Sequence, residues 1–215
     1  MGGDEVNRME TLVDISTKNG GVIETKIAVQ HGISRATLSM YCKQNKIKRI
    51  GYGLYALQEK EKDRYHALSK CSEKFVFSHD TALFLHGISA EEPIRPSITV
   101  KSGYTPSVML SSSCSVYYIK RDLADLGKTK VKTSYGNEVP VYDLERTICD
   151  MVRSHKRVGE EKVLKAIKGY ISGTDKDVKR LFDYAEQFHI SLSLYKFWKQ
   201  AKMDIIGTVE EETGE

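Results

Sequence analysis

Cysteine is scarce in this sequence, and long apolar runs are absent. The four cysteines among 215 residues, Cys42, Cys71, Cys114 and Cys149, lie far apart. They match neither the paired spacing of a zinc site nor a disulfide framework, so we expect buried thiols. No apolar run approaches the roughly 18 residues of a membrane span, and the N-terminus has no signal-peptide pattern. These absences predict a cytoplasmic protein that does not bind membranes.

Motifs of catalysis are also missing. The sequence has no phosphate-binding glycine loop, no Gly-x-Gly-x-x-Gly fingerprint and no serine in a nucleophile elbow, and Ser111–Ser113 is expected to be a loop. His79, Asp80 and His86 could form a site, but Asp80 is better explained as a helix cap and the histidines as packing or hydrogen-bonding residues. We therefore predict no enzymatic activity, no cofactor and no metal ion.

Negative charge is absent from Lys26 to Gln58. The protein carries a net charge of +4, and this stretch alone carries +6, so the rest of the chain sums to −2. The six basic residues are Lys26, Arg35, Lys43, Lys46, Lys48 and Arg49. A basic segment inside a nearly neutral protein is typical of a nucleic-acid interface.

The same stretch has the spacing of a helix-turn-helix. Apolar residues at helical spacing, among them Val6, Leu12 and Val13, predict a first helix that runs to about Lys18. A second helix is expected from Glu24 to His31, with Gly32 in the turn, and Ser34 should cap the third. The positions expected to fix the angle between these helices are Ala28, Gly32, Ile33, Leu38 and Tyr41.

Residues outside the buried face of the third helix are candidate DNA contacts. They are Ser34, Arg35, Thr37, Ser39, Met40, Lys43 and Gln44. The segments 47–50 and 54–57 flank Gly51-Tyr52-Gly53, which predicts a β-hairpin or wing. Lys48, Arg49 and Tyr52 at its tip should meet the phosphate backbone or the minor groove. The alternative is a protein-interaction module whose basic face is only solvated.

The remainder of the chain predicts a larger α+β domain. Short strands are expected at 74–77, 97–101, 115–120, 128–134 and 138–142, with Pro140 placing the last at a sheet edge. Helices should follow at 144–154, 160–171, 175–188 and 193–202. The predicted organisation is a winged helix-turn-helix at 1–66, with a helical connector over 58–71. An α+β domain at 67–203 follows, with a small, mainly antiparallel sheet and a C-terminal helical set. Residues 204–215 are expected to form an acidic, flexible tail.

Two charged groups lie in this second part. Asp143, Glu145, Arg146 and Asp150 cluster at a predicted helix start, where acids favour the positive end of the helix and Arg146 can pair with Asp150 four residues on, which explains them as structural. A basic set either is an ordinary solvated face or extends the DNA footprint through backbone contacts. Its members are Arg153, Lys156, Arg157, Lys162, Lys165 and Lys168.

Three stretches resemble the AbiEi antitoxins of bacterial abortive-infection systems, and the resemblance spans about Met9 to Lys202. They are the wing GYGLY at 51–55, SHDTALFLHG at 78–87 and VYDLERTICD at 141–150. The resemblance implies an N-terminal domain that represses its own operon at inverted repeats. It also implies a C-terminal domain that neutralises a nucleotidyltransferase toxin, in a type IV arrangement that needs no stable complex.

Two other functions remain open. A transcriptional regulator could use its second domain to sense a ligand or partner. An enzyme, a nuclease or nucleotidyltransferase, could use the first domain for substrate delivery, but the Gly-Ser pair and closely spaced carboxylates of a nucleotidyltransferase are absent. Because no heptad seam is visible, we expect a monomer in solution and two copies on the double-stranded operator.

Overall fold

The structure is a computed structural model, which describes residues 2–57 and 63–212, with side chains at 4–57 and 63–207. It is an α+β protein that divides into two compact units. The first unit comprises Met1–Glu73 with Lys132–Val139, and the second comprises Lys74–Val131 with Pro140–Glu215. The sequence placed the division at 66–67 and gave no sign that 132–139 returns to the first unit.

The first unit combines helices with a three-stranded antiparallel sheet. Its elements are α1 (Gly2–Lys18), β1 (Ile23–Glu24), α2 (Thr25–Gln30), α3 (Arg35–Lys43), β2 (Ile47–Gly51), β3 (Leu54–Leu57) and α4 (Arg64–Cys71). The strand order is β1-β3-β2. The two-residue strand β1 was not predicted, because so short a segment has no periodicity of its own. Residues 58–62 of the predicted connector lie outside the described residues.

The core of the first unit lies between its helices and its sheet. Leu12, Ala28, Leu38 and Tyr41 are completely buried there. Val6 and Val13, expected to face inward, are instead 59% and 37% exposed. The inward stripe of α1 continues from Leu12 to Ile15, which is one turn of helix further along the same face.

The second unit contains strands followed by helices, as the sequence predicted. The five-stranded sheet consists of β4 (Phe75–Phe77), β5 (Ser97–Lys101), β6 (Ser115–Ile119), β7 (Lys128–Lys132) and β8 (Glu138–Tyr142). Helices α5 (His79–Leu85) and α6 (Val108–Ser113) and a 3₁₀ turn at Arg121–Leu123 connect some of these strands. The C-terminal set is α7 (Leu144–Arg153), α8 (His155–Val158), α9 (Glu160–Ser172), α10 (Val178–Gln187) and α11 (Ser191–Glu212).

The larger sheet is mixed, so the prediction of a mainly antiparallel sheet is wrong. The strand order is β6-β5-β4-β8-β7, with β4 antiparallel to β5 but parallel to β8, and β5 parallel to β6. A parallel neighbour requires a crossover, and α6 supplies it between β5 and β6. Ser111–Ser113, expected to be a loop, form the end of that helix. Strand β8 lies between two others, so Pro140 does not mark an edge.

Helix α11 extends beyond its predicted end. It continues past Lys202 to Glu212, so most of the segment expected to be a flexible tail is helical. In this extension Asp204 forms an ion pair with Lys168 of α9, at 2.6 Å. Across the described residues, no helix has the length and apolar character needed to cross a membrane.

Candidate nucleic-acid interface

Helix α3 begins at the cap that the sequence predicted. Ser34 has an extended backbone, and its Oγ accepts a hydrogen bond from the backbone N–H of Thr37 at 3.1 Å. The Thr37 hydroxyl also lies 2.9 Å from Ser34 Oγ, so both side chains are engaged with each other at the helix start. Gly32, just before this cap, has φ +79°, which explains why glycine occupies the turn.

One side of α3 is open to solvent while the other packs into the core. Leu38 and Tyr41 are buried, whereas Arg35, Ser39 and Lys43, each four residues apart, are exposed along one stripe. The exposed candidates also include Ser34, Met40 and Gln44, and Thr37 is half-buried. Side chains on such a face have the donors that reach base edges and phosphates.

The hairpin of β2 and β3 presents the remaining candidates. Lys48, Arg49 and Tyr52 are all exposed, and the Tyr52 side chain has 96% of its surface in solvent. The Arg49 guanidinium lies 5.9 Å from the centre of the Tyr52 ring, and Arg49 Nε donates to the carbonyl of Gly51 at 3.2 Å. Arg49 and Tyr52 therefore lie together at the tip.

The tip of the hairpin is also tied to the start of α2, a contact that the sequence did not indicate. Both the backbone N–H and the hydroxyl of Thr25 donate to the carbonyl of Gly53, each at 2.8 Å. Gly53 has φ +69°, and a Cβ there would meet Thr25 Oγ1 at 3.3 Å. The tip is thus held by hydrogen bonds within the first unit.

Ion pairing separates the six basic residues into two groups. Lys26 lies 3.1 Å from Glu24, and Lys46 pairs with Glu5, so acids outside the acid-free stretch neutralise these two. The other four form no ion pair with any residue that the structure describes: Arg35, Lys43, Lys48 and Arg49. The sequence of the first domain predicted DNA contacts for these same four basic residues.

The second basic set is less positive than its sequence suggests. Lys162, Lys165 and Lys168 lie 3.6, 3.0 and 2.6 Å from Asp80, Glu91 and Asp204, respectively. Arg153 pairs with buried Asp150 at 3.1 Å. Of the six residues in this set, Lys156 and Arg157 form no ion pair with a described residue.

The histidine and acidic clusters of the second unit form hydrogen bonds and ion pairs within that unit. Asp80 lies in the first turn of α5 and does not cap it, because the helix begins two residues earlier than predicted, at His79 after Ser78. His86 Nε2 lies 2.7 Å from the carbonyl of Tyr142. Asp143 caps α7 by accepting from the N–H of Arg146 at 2.8 Å. Among the described residues, no group of three or more His, Cys, Asp or Glu could hold a metal ion.

The cysteines differ in their burial. Cys114 and Cys149 are buried, and burial raises the pKa of the Cys149 thiol well above its usual range. Cys42 and Cys71 are only half-buried, so the expectation of four buried thiols holds for two. None of the four, all of which lie in the described part of the chain, forms a disulfide bond.

The comparisons with known proteins identify a likeness in fold. No protein-family model matches the sequence, and no curated protein sequence matches it. The structure is similar to the crystal structure of the Rv2827c protein from Mycobacterium tuberculosis, with a TM-score of 0.68 and 13% sequence identity. The match covers 89% of this chain and 75% of that one. The chain therefore has an α+β fold that occurs in another solved protein.

Proposed function

We propose that the first unit is a winged helix-turn-helix that binds duplex DNA. One observation carries this proposal: in the acid-free stretch, the basic residues without a described acidic partner are also the exposed residues predicted to contact DNA. Within the acid-free stretch, the basic side chains that lack an acidic partner among the described residues are those on the open face of α3 and on the hairpin. Because a cation already paired with a carboxylate releases little free energy on meeting a phosphate, the unpaired ones decide where DNA binds.

Helix α3 and the hairpin would have different roles in binding DNA. In this arrangement α3 enters the major groove, and Arg35 donates two hydrogen bonds to a guanine. The hairpin lies against the backbone or in the minor groove, where Lys48 and Arg49 neutralise phosphates and release counterions. Base contacts then set the sequence preference, and phosphate contacts set the overall affinity.

Substitutions of one residue from each element test this division. Arg35→Ala should weaken binding to the DNA upstream of its own gene by roughly 1–3 kcal/mol and reduce discrimination against unrelated duplexes. Lys48→Ala should weaken binding to all duplexes and lower the slope of log affinity against log salt by about one. Lys18→Ala is the matched control, because this exposed lysine on α1 already pairs with Asp14 at 2.8 Å. Fluorescence anisotropy at several salt concentrations measures all three.

The proposal fails if the two variants lose affinity equally and without salt dependence. It also fails if Lys18→Ala weakens binding as much as they do. Stoichiometry gives a further check. We propose a monomer in solution and two copies on an inverted repeat, which light scattering after size-exclusion chromatography can measure with and without the operator.

We further propose that the chain is an antitoxin that represses its own operon. This step is supported by the resemblance of residues 78–87 and 141–150 to AbiEi antitoxins. The partner would be a nucleotidyltransferase toxin encoded beside it, neutralised through the second unit without a stable complex. The chain itself would act without a cofactor and without enzymatic activity, in the cytoplasm.

Co-expression with the neighbouring gene tests the antitoxin role. The full chain should restore growth to cells that express that gene, and so should the double variant Arg35→Ala/Lys48→Ala, which should no longer repress a promoter reporter. Loss of both activities in the double variant would show that they are not separable. If the neighbouring gene is not toxic, the chain is better described as a regulator whose second unit senses a ligand or partner.

A further inference from the structure

A cavity of about 490 Å³ opens on the second unit beside β6. Its walls are Tyr117 and Tyr118 of β6 and residues 153–157, where α7 passes into α8. Tyr118 is 51% exposed, so one aromatic ring beside the cavity is open to a ligand. The volume is in the range of small-molecule sites.

The cavity has an excess of positive charge. Arg153, Lys156 and Arg157 all line it. Asp150, the carboxylate paired with Arg153, is shared with Arg146, whose Nε lies 3.0 Å from Asp150 Oδ2. Within the described part of the chain, Lys156 and Arg157 have no acidic partner. An anion is therefore the complementary ligand.

The guanidinium of Arg157 is held in a fixed position. It lies 4.0 Å from the centre of the Tyr117 ring, and its Nη1 donates to the carbonyl of Val116 at 2.9 Å. The ring of His79 stacks on Tyr117 at 3.5 Å. Because two groups this close to one ring centre must occupy opposite faces, Tyr117 lies between Arg157 and His79. A guanidinium ordered before binding loses less entropy on binding a ligand.

A hydrogen-bonded chain leads from the interior to the cavity. Thr99 Oγ1 donates to Ser78 Oγ at 2.8 Å, Ser78 Oγ lies 2.9 Å from His79 Nδ1, and His79 Nε2 lies 3.0 Å from Ser154 Oγ. If the Ser78 hydroxyl donates a hydrogen bond to Nδ1, the neutral ring carries its hydrogen on Nε2 and donates from there to Ser154 Oγ. The Ser154 hydroxyl then has its own hydrogen available for an acceptor in the cavity.

His79 is unusual enough to need a reason. Its backbone φ is +50°, a conformation that residues other than glycine rarely adopt, and its side chain is completely buried. Burial lowers the pKa of His79 to about 4, and Arg153 and Arg157 act in the same direction, so the ring is neutral at neutral pH. Backbone strain of this kind is concentrated at functional sites.

We propose that this cavity binds a nucleoside phosphate. Arg157, Lys156 and the Ser154 hydroxyl contact the phosphate, and the base stacks on Tyr118. Guanidinium and ammonium groups form charge-assisted hydrogen bonds with phosphate oxygens, and an exposed aromatic ring stacks on any base. The inference does not rest on DNA binding by the first unit. It assigns Lys156 and Arg157, candidates for an extended DNA footprint in the sequence, to a different ligand.

Calorimetric titration of the full chain with ATP, UTP, AMP and pyrophosphate tests the proposal. Saturable binding of the nucleoside phosphates is expected. Lys156→Ala and Arg157→Gln should each weaken it about tenfold or more. Tyr118→Ala should weaken the binding of nucleoside phosphates by at least about fivefold. It should leave the binding of pyrophosphate unchanged, because pyrophosphate has no base. Lys165→Ala, an exposed lysine paired with Glu91, is the control.

Several results would overturn it. One is the absence of saturable binding at millimolar nucleotide, and another is unchanged affinity in both Lys156→Glu and Tyr118→Ala. Lys156 and Tyr118 are exposed, so these variants keep the test valid even if Arg157→Gln does not fold. If Lys156→Glu weakens duplex DNA binding while no free nucleotide binds, the phosphate belongs to DNA and the cavity is not a nucleotide site. Loss of nucleotide binding in Arg35→Ala would assign it to the first unit instead.

Discussion

Arg146 is a charged side chain that is completely buried in the second unit. Its Nε donates to Asp150, and its Nη1 donates to the carbonyls of Leu123 and Leu126 at 2.8 and 2.7 Å. The guanidinium also lies 3.9 Å from the centre of the Tyr142 ring. One residue therefore joins α7 to the loop that contains Leu123 and Leu126.

Removal of this side chain should be strongly destabilising. Arg146→Leu takes this donor from two half-buried carbonyls and one cation from buried Asp150, so we expect the free energy of unfolding to fall by about 3–5 kcal/mol. Urea denaturation measures the loss. The control is Lys179→Ala, which breaks an exposed pair with Asp183 at 2.7 Å and should cost less than about 1 kcal/mol. Equal effects would mean that the buried network does not stabilise the fold.

His79 should make stability depend on pH. Its pKa is lowered to about 4 in the folded protein, whereas an unfolded histidine has a pKa of about 6.5. Between these values the unfolded chain binds more protons, so stability is full at neutral pH and decreases as the pH falls. From about pH 7 to about pH 5 the loss from His79 should be about 2 kcal/mol.

The variant His79→Asn isolates this contribution. Asparagine tolerates a positive φ and cannot titrate, so the variant should lose less stability than the parent between the same two pH values. Urea denaturation of both proteins at each pH gives the difference. An identical pH dependence in parent and variant would contradict the assignment.

At the scale of elements, Asp63 is a helix cap that accepts from three donors. Its Oδ1 accepts from the N–H of His66 at 2.9 Å, which starts α4. Its Oδ2 accepts from the Thr133 hydroxyl and from Asn137 Nδ2, the latter at 2.9 Å. Asp63 is only 3% exposed. One carboxylate thus caps a helix and holds the turn between β7 and β8.

Loss of this cap should cost more than loss of an ordinary one. Asp63→Ala leaves three donors without their acceptor, and we expect a loss of roughly 3 kcal/mol or more. Ser34→Ala removes one exposed capping bond from α3 and should cost about 1 kcal/mol. Both are measured by urea denaturation. If the two substitutions cost the same, the contacts of Asp63 with Thr133 and Asn137 contribute nothing.

At the scale of the whole molecule, the chain does not divide where its sequence suggests. Residues 132–139 belong to the first unit although they follow much of the second in sequence. A fragment that begins after residue 66 therefore contains Thr133 and Asn137 but lacks Asp63. For this reason the antitoxin test uses the full chain with substitutions and not an isolated second domain.

The fragment 74–215 should be cut more easily by protease than the full chain. Without Asp63 the turn at 133–137 loses its anchor, so trypsin should cleave after Lys130 and Lys132 faster in the fragment. Time courses resolved by mass spectrometry compare the two. Full-chain Asp63→Ala should behave like the fragment at these bonds. Equal protection in all three would show that the turn is stable by itself.

Local patterns in the sequence determined much of this protein. Ser34 caps its helix as predicted, Gly32 has the expected positive φ, and β2 and β3 form the expected hairpin. The acid-free stretch is visible in the sequence itself, and its candidate DNA contacts were predicted to lie outside the buried face of α3 and on the hairpin. These features depend on neighbours within a few residues, where propensity and spacing act.

Tertiary structure alone decided the remainder. The hydrogen bond between Asp63 and Asn137 joins residues 74 positions apart, and that between His79 and Ser154 joins residues 75 positions apart. Other features also depend on residues that are distant in sequence. They are the parallel pairing of β5 with β6, the position of residues 132–139 in the first unit, and the acidic partners of Lys162, Lys165 and Lys168. No local pattern specifies which distant residues meet, because that choice is made by packing of the complete chain. The cavity beside Tyr117 is a product of that packing.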